Sequence, residues 1–231
     1  MSLAYGGVIA FISLAIVATL NSVERLPLLL PMLAGFALVC PWLAVGLYAI
    51  SRAISSGQTI SVGMVASAVG RNGDQIGLMG IFLMLIHIVW VRIATLLFVL
   101  FFARVPIGFA GLVDLLLRTQ EGFIFLLLGT AIGGVLATIT FIVSVISIPM
   151  LIDSDVGVFS AIATSCSAVS ANRVPMALWA SIIAGTTFLS FATGFVALIV
   201  VMPLLGYASW HAYRDLVSLP DSVLPVLANH I

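Results

Sequence analysis

Between Ile76 and Ala103 the chain carries a single charged residue, Arg92, in a run long enough to cross a bilayer. That run constrains the fold more than any other feature. About 20 apolar residues in a helix span the roughly 30 Å hydrocarbon core. Inside lipid the backbone must satisfy its own hydrogen bonds, so a crossing segment of this kind is a helix. Comparable runs lie at Leu3–Leu20, Leu26–Ser51, Gly122–Ile148, Val174–Ser190 and Phe191–Tyr213. The last two form one apolar block, too long for one crossing at about 1.5 Å per residue, and a turn is expected near Phe191–Gly194. The expected fold class is therefore all-α: a polytopic membrane helical bundle of about six transmembrane helices in three hairpins, with two interfacial amphipathic helices described below. Residues 1–217 read as a single transmembrane domain and 218–231 as a C-terminal tail, disordered unless something holds it.

Composition supports the membrane class. The sequence is 63% hydrophobic and 7% charged, where soluble domains run about 25% charged. All of its basic residues are arginines, balanced by an equal number of acids. Zero net charge without a basic run argues against nucleic acid and against a polybasic lipid-binding tail. The partners expected are membrane lipids and other membrane-protein subunits. Cys40 and Cys166 are far apart and share no metal-type spacing, and Cys40 reads as a small core residue. Leu3–Leu20 has no positive n-region, since the first charge is Glu24, and no small-x-small cleavage site. It reads as the first span rather than a signal peptide.

Two segments of another kind lie between the spans. Ile60–Val69 and Val158–Ala171 are rich in Ala and Ser, with apolar residues at helical spacing. In the second, Val158, Ile162, Cys166 and Val169 form a stripe, while Ser160, Thr164, Ser167 and Ser170 face elsewhere. Such helices lie in the membrane interface or plug against the bundle. Asp155 is placed to cap the second one. A weak repeat accompanies them: Pro41, Pro149 and Pro203 each fall late in an even-numbered span as candidate helix kinks. Gly35-Phe36-Ala37-Leu38 also echoes Gly194-Phe195-Val196-Ala197. Each unit would be a hairpin ending in a kinked span, the first two followed by an interfacial helix, as in many transporters. With six spans, Arg52, Arg71, Arg173 and Arg214 share one side, against Arg25, Arg104 and Arg118 on the other. The positive-inside rule then places both termini in the cytoplasm.

Several strings carry a resemblance. Leu28-Leu29-Leu30-Pro31, Gly46-Leu47-Tyr48-Ala49-Ile50-Ser51-Arg52, Trp90-Val91-Arg92-Ile93-Ala94, Ser147-Ile148-Pro149-Met150-Leu151-Ile152-Asp153 and Trp210-His211-Ala212-Tyr213-Arg214-Asp215 are similar to an uncharacterised family of bacterial integral-membrane proteins, the domain of unknown function 2189. The resemblance runs from about Pro27 to Val217 and implies a multi-span inner-membrane protein with no established activity. Relatives have Glu in place of Ala49 and His in place of Tyr207; the second change removes an i, i+4 His pair with His211 and weakens any metal role there. Some members carry the label cytochrome c oxidase subunit I. Two haems and a copper need more histidines than His87, His211 and His230, and the oxidase reading fails on ligand count.

Among residues that carry chemistry, Arg92 stands out near the middle of its span. A charge there faces the bundle interior or a wet cavity, and no acid shares its depth. One reading has its guanidinium bridge the carbonyls of Ala37 and Ile199, freed by Pro41 and Pro203. The other is an anion or headgroup site. His87, about 140° around the helix from Arg92, reads as a packed core residue, with a proton-relay or haem-ligand role as the sharper alternative. Tyr207, Trp210, His211, Tyr213, Arg214 and Asp215 gather polar groups at the end of the last span. They read as an interfacial anchor with Trp210 at headgroup depth, or as a docking point for a partner or a lipid phosphate. Asp153 and Asp155 read as solvated, capping carboxylates rather than a cation site, and Gly129 with Gly133 as a small-xxx-small packing pair. No Walker, Rossmann, Ser-His-Asp or His-Glu-x-x-His pattern occurs, so no catalytic residue, metal or cofactor is expected.

The function expected is a non-catalytic accessory or scaffolding subunit of a larger respiratory or photosynthetic inner-membrane complex. The rival is a small-solute or ion transporter or channel with a site near Arg92, and a third reading is a lipid-binding membrane organiser. A wet cavity lined by Arg92 and His87 would favour transport; a solid core with an apolar flank would favour a subunit.

Overall fold

The computed structural model describes residues 2–22, 29–102 and 109–217, and within them every regular element is helical. In chain order these are α1 (Ser2–Ser22), α2 (Leu29–Leu43), α3 (Val45–Ser55), α4 (Val62–Arg71), α5 (Gly73–Phe102), α6 (Phe109–Arg118), α7 (Gln120–Ser144), α8 (Ser147–Asp153), α9 (Val158–Ala171), α10 (Arg173–Ala192) and α11 (Leu198–Val217). The tail from Ser218, Glu24, and Arg25 and Arg104 of the charge comparison lie outside the described residues.

Among the described residues, four helical stretches are long and apolar enough to cross a membrane: Ser2–Leu20, Gly73–Phe102, Gln120–Asp153 and Arg173–Ala192. The other two expected spans fall short for visible reasons. Leu26–Ser51 is divided at Ala44, three residues after Pro41, into α2 and α3, neither of crossing length alone. In α11, Pro203 sits inside the helix and the last turns carry His211, Arg214 and Asp215. The apolar block after Val174 does turn, at residues 193–197, where Gly194 and Phe195 adopt positive φ of 60° and 69°. Gly194 adopts that conformation readily, whereas Phe195 pays backbone strain to bury its ring. The ring lies 5.7 Å from Phe191, which meets Phe36 of α2 edge-on at 6.3 Å.

The principal core surrounds α8. Val145 to Leu151 and Ile152 are buried except Met150, and α8 touches α3, α4, α5, α7, α9 and α11. Leu47, Met79, Leu83, Leu198, Met202 and Trp210 close around it. A second cluster at the far end of α5 joins Phe98, Phe101 and Phe102 to Phe125 and Leu116, tying α6 and α7 to α5. Lipid tails solvate Leu as well as another Leu does, so close packing and polar contacts hold such helices together. Two glycines make this packing possible. A Cβ on Gly6 of α1 would stand 2.5 Å from the carbonyl oxygen of Ile199, and one on Gly133 would meet the Trp90 ring at 3.0 Å. Gly129 has nothing within 4 Å, so only one member of the expected small-residue pair packs closely.

The junction of α7 and α8 shows how a kink is held. Pro149 has no N–H to return to Val145, and the ladder opens at Val145–Ile146. Ser165 of α9 fills the gap: its hydroxyl donates to the Ile142 carbonyl at 2.6 Å and accepts from the Ile146 N–H at 3.3 Å. A side chain inserted into the ladder is a recognised cause of a sharp bend. The buried face of α9 therefore runs through Val158, Ala161 and Ser165, rotated from the expected stripe towards a serine. Asp155 does not cap α9. Gly157 holds the cap position and Gln75 Oε1 accepts the Val158 N–H at 2.9 Å, so a side chain from α5 does the work assigned to the aspartate. A broken span, a short helix and a long helix thus occur twice in order, as α2/α3–α4–α5 and α7/α8–α9–α10.

Candidate functional site

Asp153, the last residue of the central helix α8, organises the polar end of the bundle. Arg52 of α3 donates from Nε to Oδ1 at 3.1 Å, and the Tyr213 hydroxyl of α11 donates to Oδ2 at 3.0 Å. Arg214 stands 3.9 Å from the same Oδ2. Arg71, at the end of α4, donates from one terminal nitrogen to the carbonyls of Ile152 and Asp153 at 2.7 and 2.9 Å. The neighbouring Asn72 is buried, and its amide faces the carbonyls of Leu151 at 3.2 Å, Ser154 at 3.4 Å and Val156 at 3.0 Å. Residues 151–156 leave the helix with carbonyls unspent, and α4 supplies the donors. Two guanidinium groups, of Arg52 and Arg214, share one carboxylate while Arg71 binds main-chain carbonyls beside it, which leaves the site with an excess of positive charge.

The expected string at the end of α11 divides in two. Trp210 is fully buried against the core, its ring 5.6 Å from Tyr213. The interfacial-anchor placement of Trp210 is therefore corrected: the face carrying Trp210 and Tyr213 turns towards the α8 core, while His211, Arg214 and Asp215 are exposed. Tyr207 shares a hydrogen bond with the hydroxyl of Ser2, which fixes α1 beside α11. Asp155 is exposed and stands apart from the hub that Asp153 organises.

Arg92 and His87 are not brought together. His87 packs its ring onto Gly35 and lines an apolar cavity of about 160 Å³ with Ser13, Phe36, Leu43 and Phe195. Its Nδ1 is buried without a hydrogen bond among the described residues. Arg92 is absent from that lining and is exposed, with no hydrogen bond or ion pair among the described residues. The carbonyl-bridging role is therefore corrected as well: the Ile199 carbonyl faces Gly6 of α1, and Arg92 points outwards. It shares its face with Ile81, Leu85, Ile88, Leu96 and Val99, all exposed. That spacing of threes and fours marks one stripe of the helix.

Asn72, Gln75, Arg71 and Ser165 hold the site together, yet no motif marks them. One signal was present in the sequence. Ser67-Ala68-Val69 followed by Asn72 recurs as Ser167-Ala168-Val169 followed by Asn172. Both asparagines end a short helix with nearly the same backbone, φ −123° and ψ 35° against φ −122° and ψ 44°. Their roles differ, since Asn172 returns its amide to Ala168 of its own helix.

Comparison with known proteins agrees with this architecture. A family model described as "Predicted integral membrane protein (DUF2189)" matches residues 28–153. The matched segment contains the first four strings quoted above and leaves Trp210–Asp215 outside it. No curated protein and no solved structure gives a match. With more than half its length matched, and with long apolar helices around a buried α8, the chain belongs to this family of multi-pass integral membrane proteins, the domain of unknown function 2189.

Proposed function

We propose that the chain is a non-catalytic accessory or scaffolding subunit of a larger bacterial inner-membrane assembly, respiratory or photosynthetic. In this reading it crosses the membrane six times in three hairpins, counting α2/α3 and α11 as crossings, with both termini in the cytoplasm. Helices α4 and α9 lie at the cytoplasmic interface.

The observation that carries the reading is the outward Arg92. It is the twentieth residue of the 30-residue α5, well within the apolar run. An arginine near the centre of a lipid-exposed helix costs about 2.5–3.5 kcal/mol on insertion scales. A cost of that size is removed when a neighbouring helix supplies a carboxylate or a free carbonyl. The surrounding apolar stripe is the flank such a helix would cover. Helix α10 adds to the argument, with 11% of its most apolar window buried inside the chain. The transport reading draws no comparable support, because His87 lines an apolar cavity and Arg92 lies outside it.

The test is purification of the tagged chain from its native membrane in mild detergent, followed by native-gel separation and mass spectrometry. Stoichiometric co-migration with other membrane polypeptides, reduced in Arg92→Leu, supports the proposal. Migration alone as a monomer or small homo-oligomer overturns it.

A further inference from the structure

The arginines of the Asp153 hub have more donors than the hub uses. Arg52 commits Nε to Asp153, and Arg71 commits one terminal nitrogen to two carbonyls. The other nitrogens of both guanidinium groups have no partner among the described residues. Both side chains line an open groove of about 320 Å³ between α3 and α4. Gln58, from the connection between these helices, brings an uncommitted amide to the same lining, and Ser67 brings a hydroxyl. Ala49, Ala53 and Met64 make the rest of the wall apolar. The hub's one carboxylate is already shared by Arg52, Tyr213 and Arg214, so the groove keeps a positive excess.

From this arrangement we infer that the α3–α4 groove is a binding site for a phosphate group, held by the free guanidinium nitrogens of Arg52 and Arg71. Planar guanidinium donors match phosphate oxygens two at a time, which makes arginine the side chain for this ligand. The ligand is a phosphate oxyanion, and where it is esterified its organic part lies along the Ala49–Ala53–Met64 wall. Its source is either a phospholipid headgroup or a free phosphate. The entry to α4 favours access from the membrane surface, because the apolar Ile60 and Val62 there are 41% and 73% exposed. The inference is independent of the subunit reading, which rests on Arg92 at the opposite part of α5.

The experiment uses the full chain, delipidated in dodecyl maltoside, with thermal unfolding followed against added ligand. The probes are inorganic phosphate, dihexanoyl-phosphatidylglycerol and, as the phosphate-free control, dihexanoylglycerol. A ligand at a hundred times its Kd is expected to raise Tm by roughly 5–10 °C for a chain of this size. Arg71→Gln removes one binding group, and Ser67→Phe fills the groove without touching the hub, since Ser67 bonds only to Met64 of its own helix. Both are expected to weaken apparent affinity at least about tenfold. If Arg71→Gln fails to fold, Ser67→Phe decides alone. A saturable rise with inorganic phosphate as well as the lipid assigns the site to free phosphate. A rise with the lipid alone assigns it to a headgroup. No saturable rise with either, an equal rise with dihexanoylglycerol, or an unchanged rise in Ser67→Phe overturns the inference.

Discussion

Replacing Asp153 with Asn tests whether one carboxylate holds three helices together. The substitution keeps size and shape but removes the charge that α3 and α11 both address. In the native protein Oδ1 accepts from Arg52 at 3.1 Å and Oδ2 from Tyr213 at 3.0 Å, with the side chains of Arg52 and Asp153 31% and 23% exposed. A hydrogen bond to a charged group contributes about 1.5–3 kcal/mol net. Asparagine still offers one acceptor oxygen, so one of the two bonds survives in neutral form. Arg214, at 3.9 Å and 55% exposed, contributes little because solvent screens it. Partial exposure of Arg52 discounts the total further, leaving a loss of about 2–3 kcal/mol. For a chain of this size that is about 4–12 °C in Tm, read by thermal unfolding in detergent. The control is Asp155→Asn, an exposed carboxylate with no hydrogen bond among the described residues, expected to change stability by less than about 0.5 kcal/mol. A Tyr213→Phe double-mutant cycle should give a coupling of about 1 kcal/mol. If Asp153→Asn costs no more than Asp155→Asn, the hub is not a structural centre and the reasoning fails.

Other substitutions probe separate links. Asn72→Ala strips its donors from the 151–156 carbonyls and should cost about 2 kcal/mol, whereas Asn172→Ala, bonded within its own helix, should cost about 0.5 kcal/mol; equal losses would contradict the bridging role of Asn72. Gly6→Leu should separate α1 from α11 and lower Tm, while Gly7→Leu, with open space around its Cβ position, should leave Tm unchanged; matching behaviour of the pair would refute the close contact. Ser165→Ala leaves the Ile146 N–H and Ile142 carbonyl without their bridge. It should cost about 1–2 kcal/mol and speed amide exchange at Ile146, and unchanged exchange would count against it. Arg92→Leu should leave the isolated chain as stable as the wild type, because Arg92 has no hydrogen bond or ion pair among the described residues; a Tm loss of several degrees would mean that it has an internal partner.

What was legible in the sequence follows from what lipid demands. Long apolar runs identify helices such as α1, α5, α7 and α10 because nothing else satisfies backbone groups in hydrocarbon. A turn close to Gly194 and the order of broken span, short helix and long helix could also be read ahead. Orientation about each helix axis could not. In a nearly uniform apolar helix no polar face distinguishes inside from outside, and the centre of Arg92's span gives no indication that it points outwards. Trp210 shows the same limit: a tryptophan near a span end is a common interfacial anchor, yet here it fills the core beside α8. Ser165 and Asn72 escaped notice because serine and asparagine on a short helix are ordinary. Their importance comes from the carbonyls and N–H groups that Pro149 and the end of α8 leave unspent across the fold.

The most direct test of the subunit account is site-specific photo-crosslinking in the native membrane. A benzophenone amino acid would be placed at Ile88 or Leu96, beside Arg92 on the exposed face of α5, with Gly7 of α1 as the comparison site. The account predicts a discrete adduct with a second membrane polypeptide from the α5 positions, lost when Arg92 is replaced by Leu. Adducts with lipid alone, or the same adducts with and without Arg92, would contradict it.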